Sequence, residues 1–233
     1  MPITSTRLVR KAECFLNKEG IEDARISSEE IMRSVLGFAS RSDLFLNTVF
    51  LKREKVKNFI AMVRQRAKRY PLQYIVHEAG FMKHVFWVCE DVLIPRPETE
   101  LLVEEICKSV HFLHKPVILD IGTGSGCIAI SIASEANVKS IVAVDISEKA
   151  LRCAKENACR IGVSDRVKFL LSDCFTNVSR NERFDIIVSN PPYIRRTDLG
   201  SLQKEVRFEP QSALDGGADG LDFYTRIIRD APQ

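Results

Sequence analysis

An α/β fold with a parallel sheet covered by helices on both faces, preceded by a small all-helical region, follows from three observations. From Val117 onward, near-continuous apolar strands alternate with helical stretches, the pattern of parallel strands buried on both faces. Each strand ends in glycine or polar residues, as the ligand-binding edge of an open α/β sheet does. Ahead of them, residues up to about Tyr70 carry helical periodicity alone.

Taken in order, the first helix places Leu8, Ala12, Phe15 and Leu16 on one face. Ser27 or Ser28 can cap the next, with Glu29 or Glu30 favourable in its first turn. Residues 51–70 predict a helix with Val56, Phe59, Ile60, Val63 and Ala67 on its apolar face. Its other face carries Lys52, Arg53, Lys55, Lys57, Arg64, Arg66, Lys68 and Arg69. That face reads either as solvated or as a dock for an acidic partner. Pro71 ends the helix, and alternating apolar residues over 81–92 predict a hairpin or strand-rich linker. Pro97, Glu98 and Glu100 suit the start of a further helix. Then come the strands VILDIG, SIVAVD, VKFLLSD and FDIIVSN, with helices over 126–136 and 148–161 between the first three.

Composition excludes several classes. No apolar run reaches the roughly 18 residues that a membrane helix needs, so no membrane association is expected. The N-terminus lacks a secretory apolar core, and Glu13, Glu19, Glu22 and Asp23 argue against a transit peptide. A net charge of +3 is too small to imply nucleic acid. Seven cysteines without a C-x-x-C pair read as free thiols of a reducing compartment, used mostly as small hydrophobes. His111 and His114 lack a completing ligand set, and no metal site is expected.

The first strand runs into Asp120-Ile121-Gly122-Thr123-Gly124-Ser125-Gly126. Glycines between a strand and a helix let a ligand approach the backbone, or serve only a tight turn. The spacing G-x-G-x-G is one residue shorter than the dinucleotide fingerprint, and no Gly-Lys-Ser/Thr of a P-loop follows. The second strand ends in Asp145, about 20 residues on, where a carboxylate can accept ribose hydroxyls. Ser172-Asp173-Cys174 closes the third strand. A nucleoside without pyrophosphate fits these features, and S-adenosylmethionine is a ligand of that kind.

DIGTGSG, the strand-end Asp145 and IVSNPPYI together resemble the Rossmann-like class I methyltransferases that use S-adenosylmethionine on planar nitrogen. With PLQYI, VLIPRPETE and EPQSALDGGADGL, the chain resembles more closely the HemK/PrmC family. That family methylates N5 of the GGQ glutamine in peptide chain release factors. The resemblance implies that Gly122, Thr123, Gly124, Ser125, Gly126, Asp145, Asp173, Cys174 and Asn190 hold S-adenosylmethionine. It implies that Asn190, Pro191, Pro192 and Tyr193 hold the substrate amide. Asn190 Oδ1 and the Pro191 carbonyl can each accept one amide N–H, Pro192 stiffens the loop, and the Tyr193 ring can cover the amide. Neither acceptor is a strong base, so the role is positioning.

The implied division is a helical substrate-recognition domain over 1–73, a hairpin linker over 74–96 and a methyltransferase domain over 97–233. A release factor is the expected partner, in a monomeric, cytoplasmic or organellar-matrix enzyme. Two alternatives remain: an N6-adenine nucleic-acid methyltransferase, since the motif geometry also serves an exocyclic amine, and a non-catalytic module that docks on release factor. The sequence departs from the family where glycine is usual at His77 and Lys83, and where Cys174 replaces an aromatic residue. Family members continue past Gln233 with further strands in the order 3-2-1-4-5-7-6, so the chain is expected to be a fragment. Strand 184–190 would then be an exposed edge, with poor solubility and weak activity.

Overall fold

The structure, a computed structural model, describes residues 3–231. The chain forms two compact units. One comprises the residues up to His77 together with Lys204–Phe208, and the other Glu78–Gln203 and the residues from Glu209 onward.

The first unit is built on α1 (Ser5–Lys18), α2 (Ala24–Leu36), α3 (Ser42–Leu46), α4 (Arg53–Ala67) and α5 (Leu72–Val76). Thr4 caps α1 by accepting from the Arg7 amide. Leu8, Ala12 and Leu16 bury at the spacing of one helical face, whereas Phe15, expected on that face, is exposed. Helix α2 begins before the expected serine cap, at Ala24 after Asp23. Ser27 and Ser28 are therefore interior and buried, Ser27 donating to Asp23 Oδ2 and Ser28 to the Ala24 carbonyl.

Helix α4 corrects the reading of the basic face. Phe59, Val63 and Arg66 share one buried stripe at i, i+4 and i+7, so Arg66 points inward. There it donates to Ser27 Oγ at 3.0 Å and pairs with Asp23 at 2.8 Å and Glu205 at 3.0 Å. Arg69 turns with φ 68° to reach Glu205 and the Gly20 carbonyl. Arg64 and Lys68 remain exposed. The helix ends at Ala67, ahead of Pro71, which instead precedes α5.

The second unit opens with a two-stranded antiparallel hairpin, β1 (Glu78–Phe81) and β2 (His84–Trp87). It lies earlier than 81–92, because pairing Ala79 with Phe86 buries both, and Phe81 with them, while Val88 and Val92 bury outside any strand. His77 takes φ 57°, the left-handed conformation that glycine favours. In the turn, Met82 and not Lys83 carries the positive φ, at 51°.

After α6 (Pro97–Val110) come β3 (Val117–Ile121), α7 (Cys127–Glu135), β4 (Ser140–Asp145), α8 (Glu148–Ile161), β5 (Val167–Leu171), β6 (Ile186–Ser189) and α9 (Asp222–Asp230). The four strands form one parallel sheet in the order β5-β4-β3-β6. This is the 3-2-1-4 portion of the expected order, and among the described residues β6 is an edge. Leu119, Ile121, Val142 and Val144 cluster on one face with Phe223 and Ile227 of α9. Alternation sends Ile118, Asp120 and Ile141 to the other face, where all three are buried. Register pairs Ile121 with Val144 and Ser189, and Asp145 with Leu171, so the strand ends align along one edge.

The cysteines are only partly as expected. All seven are free, but Cys14 and Cys159 are exposed, and only Cys153 and Cys174 are buried.

Candidate active site

A cavity of about 450 Å³ opens along the aligned strand ends. Gly122 and Gly124 line it from the β3–α7 loop, Asp145, Ile146 and Ser147 from the end of β4, and Ser172, Asp173 and Cys174 from the end of β5. Asn190, Pro191 and Pro192 close it after β6. Four separate strand ends thus converge because a parallel sheet puts all its carboxyl termini on one side.

Gly122 and Gly124 take φ 72° and 56°, and a Cβ at either would meet nothing within 4 Å. Left-handed backbone serves the strand-to-helix turn, and the missing side chains leave its backbone open to the cavity. Asp145 anchors this loop. Its Oδ2 accepts from the Gly124 amide and its Oδ1 from the Ser147 amide, each at 2.9 Å. Each oxygen keeps acceptor capacity beyond these bonds, and Asp145 lines the cavity. Burial raises the Asp145 pKa, against the amides of Ser147, Gly124 and Ile146.

Asp120 sits one layer beneath. It is fully buried, its Oδ2 accepting from Thr123 Oγ at 2.6 Å while Oδ1 has no partner at bonding distance. Burial pushes its pKa up to about 7, with Thr123 and the Ala129 amide of α7 acting in the opposite sense.

Four of the residues singled out in the sequence do not line the cavity. Thr123 is turned inward to Asp120, and Ser125 is buried, its carbonyl accepting from Asn157. Gly126 makes room for packing, since a Cβ there would meet Ile130 Cδ1 at 2.6 Å and Ala154 at 3.1 Å. Tyr193 is 57% exposed and absent from the lining. Asp173 lines the cavity but is paired with Arg226 at 2.8 Å, so its charge is already engaged. Cys174 holds φ 48°, in a turn tied by Ser172 Oγ, which donates to its carbonyl at 2.8 Å.

Other residues at the site carry no individual signal in the sequence, although Asp215 lies within the EPQSALDGGADGL stretch. Arg196, Asp215, Phe223 and Arg226 line the same cavity. The DGGADGL stretch lies directly on the loop after Asn190. Ile194 and Asp215 form a parallel bridge, and the Gly216 amide donates to the Ile194 carbonyl at 2.8 Å. A Cβ on Gly216 would meet Tyr193 Cα at 2.7 Å and the Pro192 carbonyl at 2.9 Å, and one on Gly220 the Tyr193 carbonyl at 2.5 Å. Glycine is required here for backbone-to-backbone contact. Glu209, from the preceding EPQ, is buried and accepts from the Ile94 amide at 3.0 Å and from Arg96.

Comparison with known proteins gives the family of the chain. Residues 97–207 match the Methyltransferase small domain and residues 7–76 the PrmC N-terminal domain. The chain is 42% identical over 221 residues to a release factor glutamine methyltransferase of Geobacter sulfurreducens, covering 94% of this chain and 76% of that one. It is 44% identical over 228 residues to the Cereibacter sphaeroides protein of the same name, covering 96% and 79%. Among solved structures, it resembles the hMettl16 catalytic domain in complex with MAT2A 3′UTR hairpin 1. The TM-score is 0.51 at 17% identity, over 80% of this chain and 65% of that one, which is a likeness of fold. On the strength of its relatives over nearly its whole length, the chain belongs to the release factor glutamine methyltransferase family.

Proposed function

We propose that this protein transfers a methyl group from S-adenosylmethionine to the side-chain amide nitrogen of the GGQ glutamine in peptide chain release factors. One observation carries the reading: Asn190, Pro191 and Pro192 line the same cavity as Gly122, Gly124 and Asp145. A cavity of about 450 Å³ lies within the range for small-ligand sites, roughly 300–1,000 Å³. The open space over the two left-handed glycines and the spare acceptor capacity of Asp145 fit an adenosine moiety.

When bound, S-adenosylmethionine supplies an electrophilic methyl group on its sulfonium sulfur. The residues of the chain provide the rest. Asp145 takes ribose hydroxyls while keeping the Gly124 amide in place. Asn190 Oδ1 and the Pro191 carbonyl accept the two N–H groups of the substrate amide, so its nitrogen is presented in one orientation. Such positioning is worth about 7–11 kcal/mol in favourable cases. The alternative of an N6-adenine methyltransferase draws no support from a basic cleft, because Arg196 and Arg226 at the cavity are each paired with a carboxylate.

Exposed lysines and arginines on α4, Arg64 among them, and Lys68 at its C-cap offer the helical unit a surface for recognising the release factor. The test is incubation with labelled S-adenosylmethionine and either release factor or DNA, read by mass spectrometry. Methyl on the GGQ glutamine is expected. Asn190→Ala should lower turnover by a factor on the order of 10²–10³, as loss of one preorganised polar contact does. Label on DNA alone, or wild-type turnover in that variant, would overturn the reading.

A further inference from the structure

Asn190 is a two-faced side chain. Its oxygen accepts and its nitrogen donates, and a half-turn about the last bond exchanges them. With nitrogen toward the cavity, the Asn190 amide would meet the substrate N–H donor to donor. The substrate reading above therefore needs a partner that selects one face.

Thr99 is that partner. Asn190 Nδ2 donates to Thr99 Oγ at 3.2 Å, across 91 positions of sequence. Asn190 Oδ1 has no partner among the described residues, although Asn190 lines the cavity. Thr99 is 8% exposed and lies in the first turn of α6, where its own amide donates to the Arg96 carbonyl at 3.0 Å. The segment leading into that turn is fixed in its place by Glu209, whose side chain is 2% exposed and holds both Ile94 and Arg96. A buried hydroxyl on the first turn of a helix, with the incoming chain clamped, is a rigid place from which to orient another side chain.

We propose that Thr99 is a positioning residue for methyl transfer, holding the Asn190 nitrogen away from the cavity so that Oδ1 faces the substrate amide. This rests on the reading of Asn190 as amide acceptor. Glu209 acts one step further back, by fixing the start of α6.

Thr99→Val keeps the shape and removes the acceptor, and Thr99→Ser keeps the acceptor. In the full chain, Thr99→Val should lower kcat on release factor by about ten- to hundred-fold, the scale of small misplacements of reacting groups. S-adenosylmethionine affinity, by calorimetry, should hold within about two-fold, and Thr99→Ser should recover kcat to within about three-fold, because the acceptor is retained. A second readout needs neither substrate nor cofactor. In free protein, the Asn190 side-chain NH₂ signal, identified by its loss in Asn190→Asp, should exchange slowly with solvent, and Thr99→Val should abolish that protection. Wild-type kcat in Thr99→Val, equal slowing by Thr99→Ser, or an Asn190 NH₂ that exchanges equally fast in wild type and variant would each overturn the proposal. If the wild type fails to methylate release factor, the functional reading falls, and the exchange measurement still decides the role of Thr99.

Discussion

Asp120 should make the stability of the protein fall as pH rises. The perturbation is Asp120→Asn, compared with wild type between pH 4 and 8.5. Burial is the main cause of the raised pKa of Asp120, which climbs from 3.8 to about 7. The folded state therefore holds this proton after the unfolded chain has lost it. A group of this kind contributes stability that is complete below the unfolded pKa and disappears as pH passes the folded one. Between roughly pH 4 and 7 the slope is about 1.4 kcal/mol per pH unit, giving a total of about 4 kcal/mol. Asparagine cannot titrate, so the difference between wild type and variant isolates the effect from carboxylates whose pKa moves down, such as Asp215 beside Arg196 and Glu205 beside Arg66. The assay is urea denaturation at closely spaced pH values. Stability of the wild type relative to the variant should decline steadily to about pH 7 and then level. Parallel curves would refute the reasoning, and would mean that water reaches Oδ1. The offset between the curves is immaterial, since it also contains the cost of an asparagine nitrogen beneath the glycine loop.

Asp145→Ala should weaken S-adenosylmethionine binding by roughly 1–3 kcal/mol, the scale of hydrogen bonds to a charged group; unchanged calorimetric affinity would remove the ribose role. Gly216→Ala should press a methyl group onto Tyr193 Cα and the Pro192 carbonyl, and lower kcat by about ten- to hundred-fold with less effect on cofactor affinity. Gly200→Ala, whose Cβ meets nothing within 4 Å, is the control, and equal kinetics for the two would discount the contact. Charge reversal at the exposed Arg64 and Lys68 should raise KM for release factor without lowering the melting temperature. The same change at Arg66 should destabilise the fold and lower its melting temperature, because it sets a carboxylate at a buried position beside Asp23 and Glu205. A Tm equally low in both variants would contradict the inward placement of Arg66.

The parts legible in the sequence were those whose cause is local. Continuous apolar strands specify the parallel sheet, and the glycine loop, Asp145 and Asn190 follow directly from where those strands stop. Arg66, a basic residue between Arg64 and Lys68, looks in the sequence like part of a solvated face, yet it is buried. Its burial depends on a phase set by Phe59 and Val63 and on Glu205, 139 residues away. The hairpin starts earlier than its apolar pattern suggests because Glu78, Ala79 and Gly80 have little strand propensity of their own; pairing with Trp87, Phe86 and Val85 makes the strand. Thr99 and Phe223 come to the site from helices whose own periodicity says nothing about Asn190 or Asp145. Thr123 and Ser125 lie in the most recognisable motif and still turn away, toward Asp120 and Asn157, which lie outside the glycine run itself.

The clasp of Lys204–Phe208 on the helical unit has a consequence for biosynthesis. Arg66 and Arg69 both reach for Glu205, and Tyr70 packs edge-on against Phe208, with ring centroids 5.2 Å apart. The five helices are made first, yet two of their arginines wait for a carboxylate that leaves the ribosome 139 residues after Arg66. At roughly 5–20 residues per second, the delay is about 7–28 s. Through that interval Asp23 alone among these carboxylates can neutralise Arg66. The N-terminal unit is thus begun first, yet it reaches its final stability only after all four described strands of the sheet have been translated.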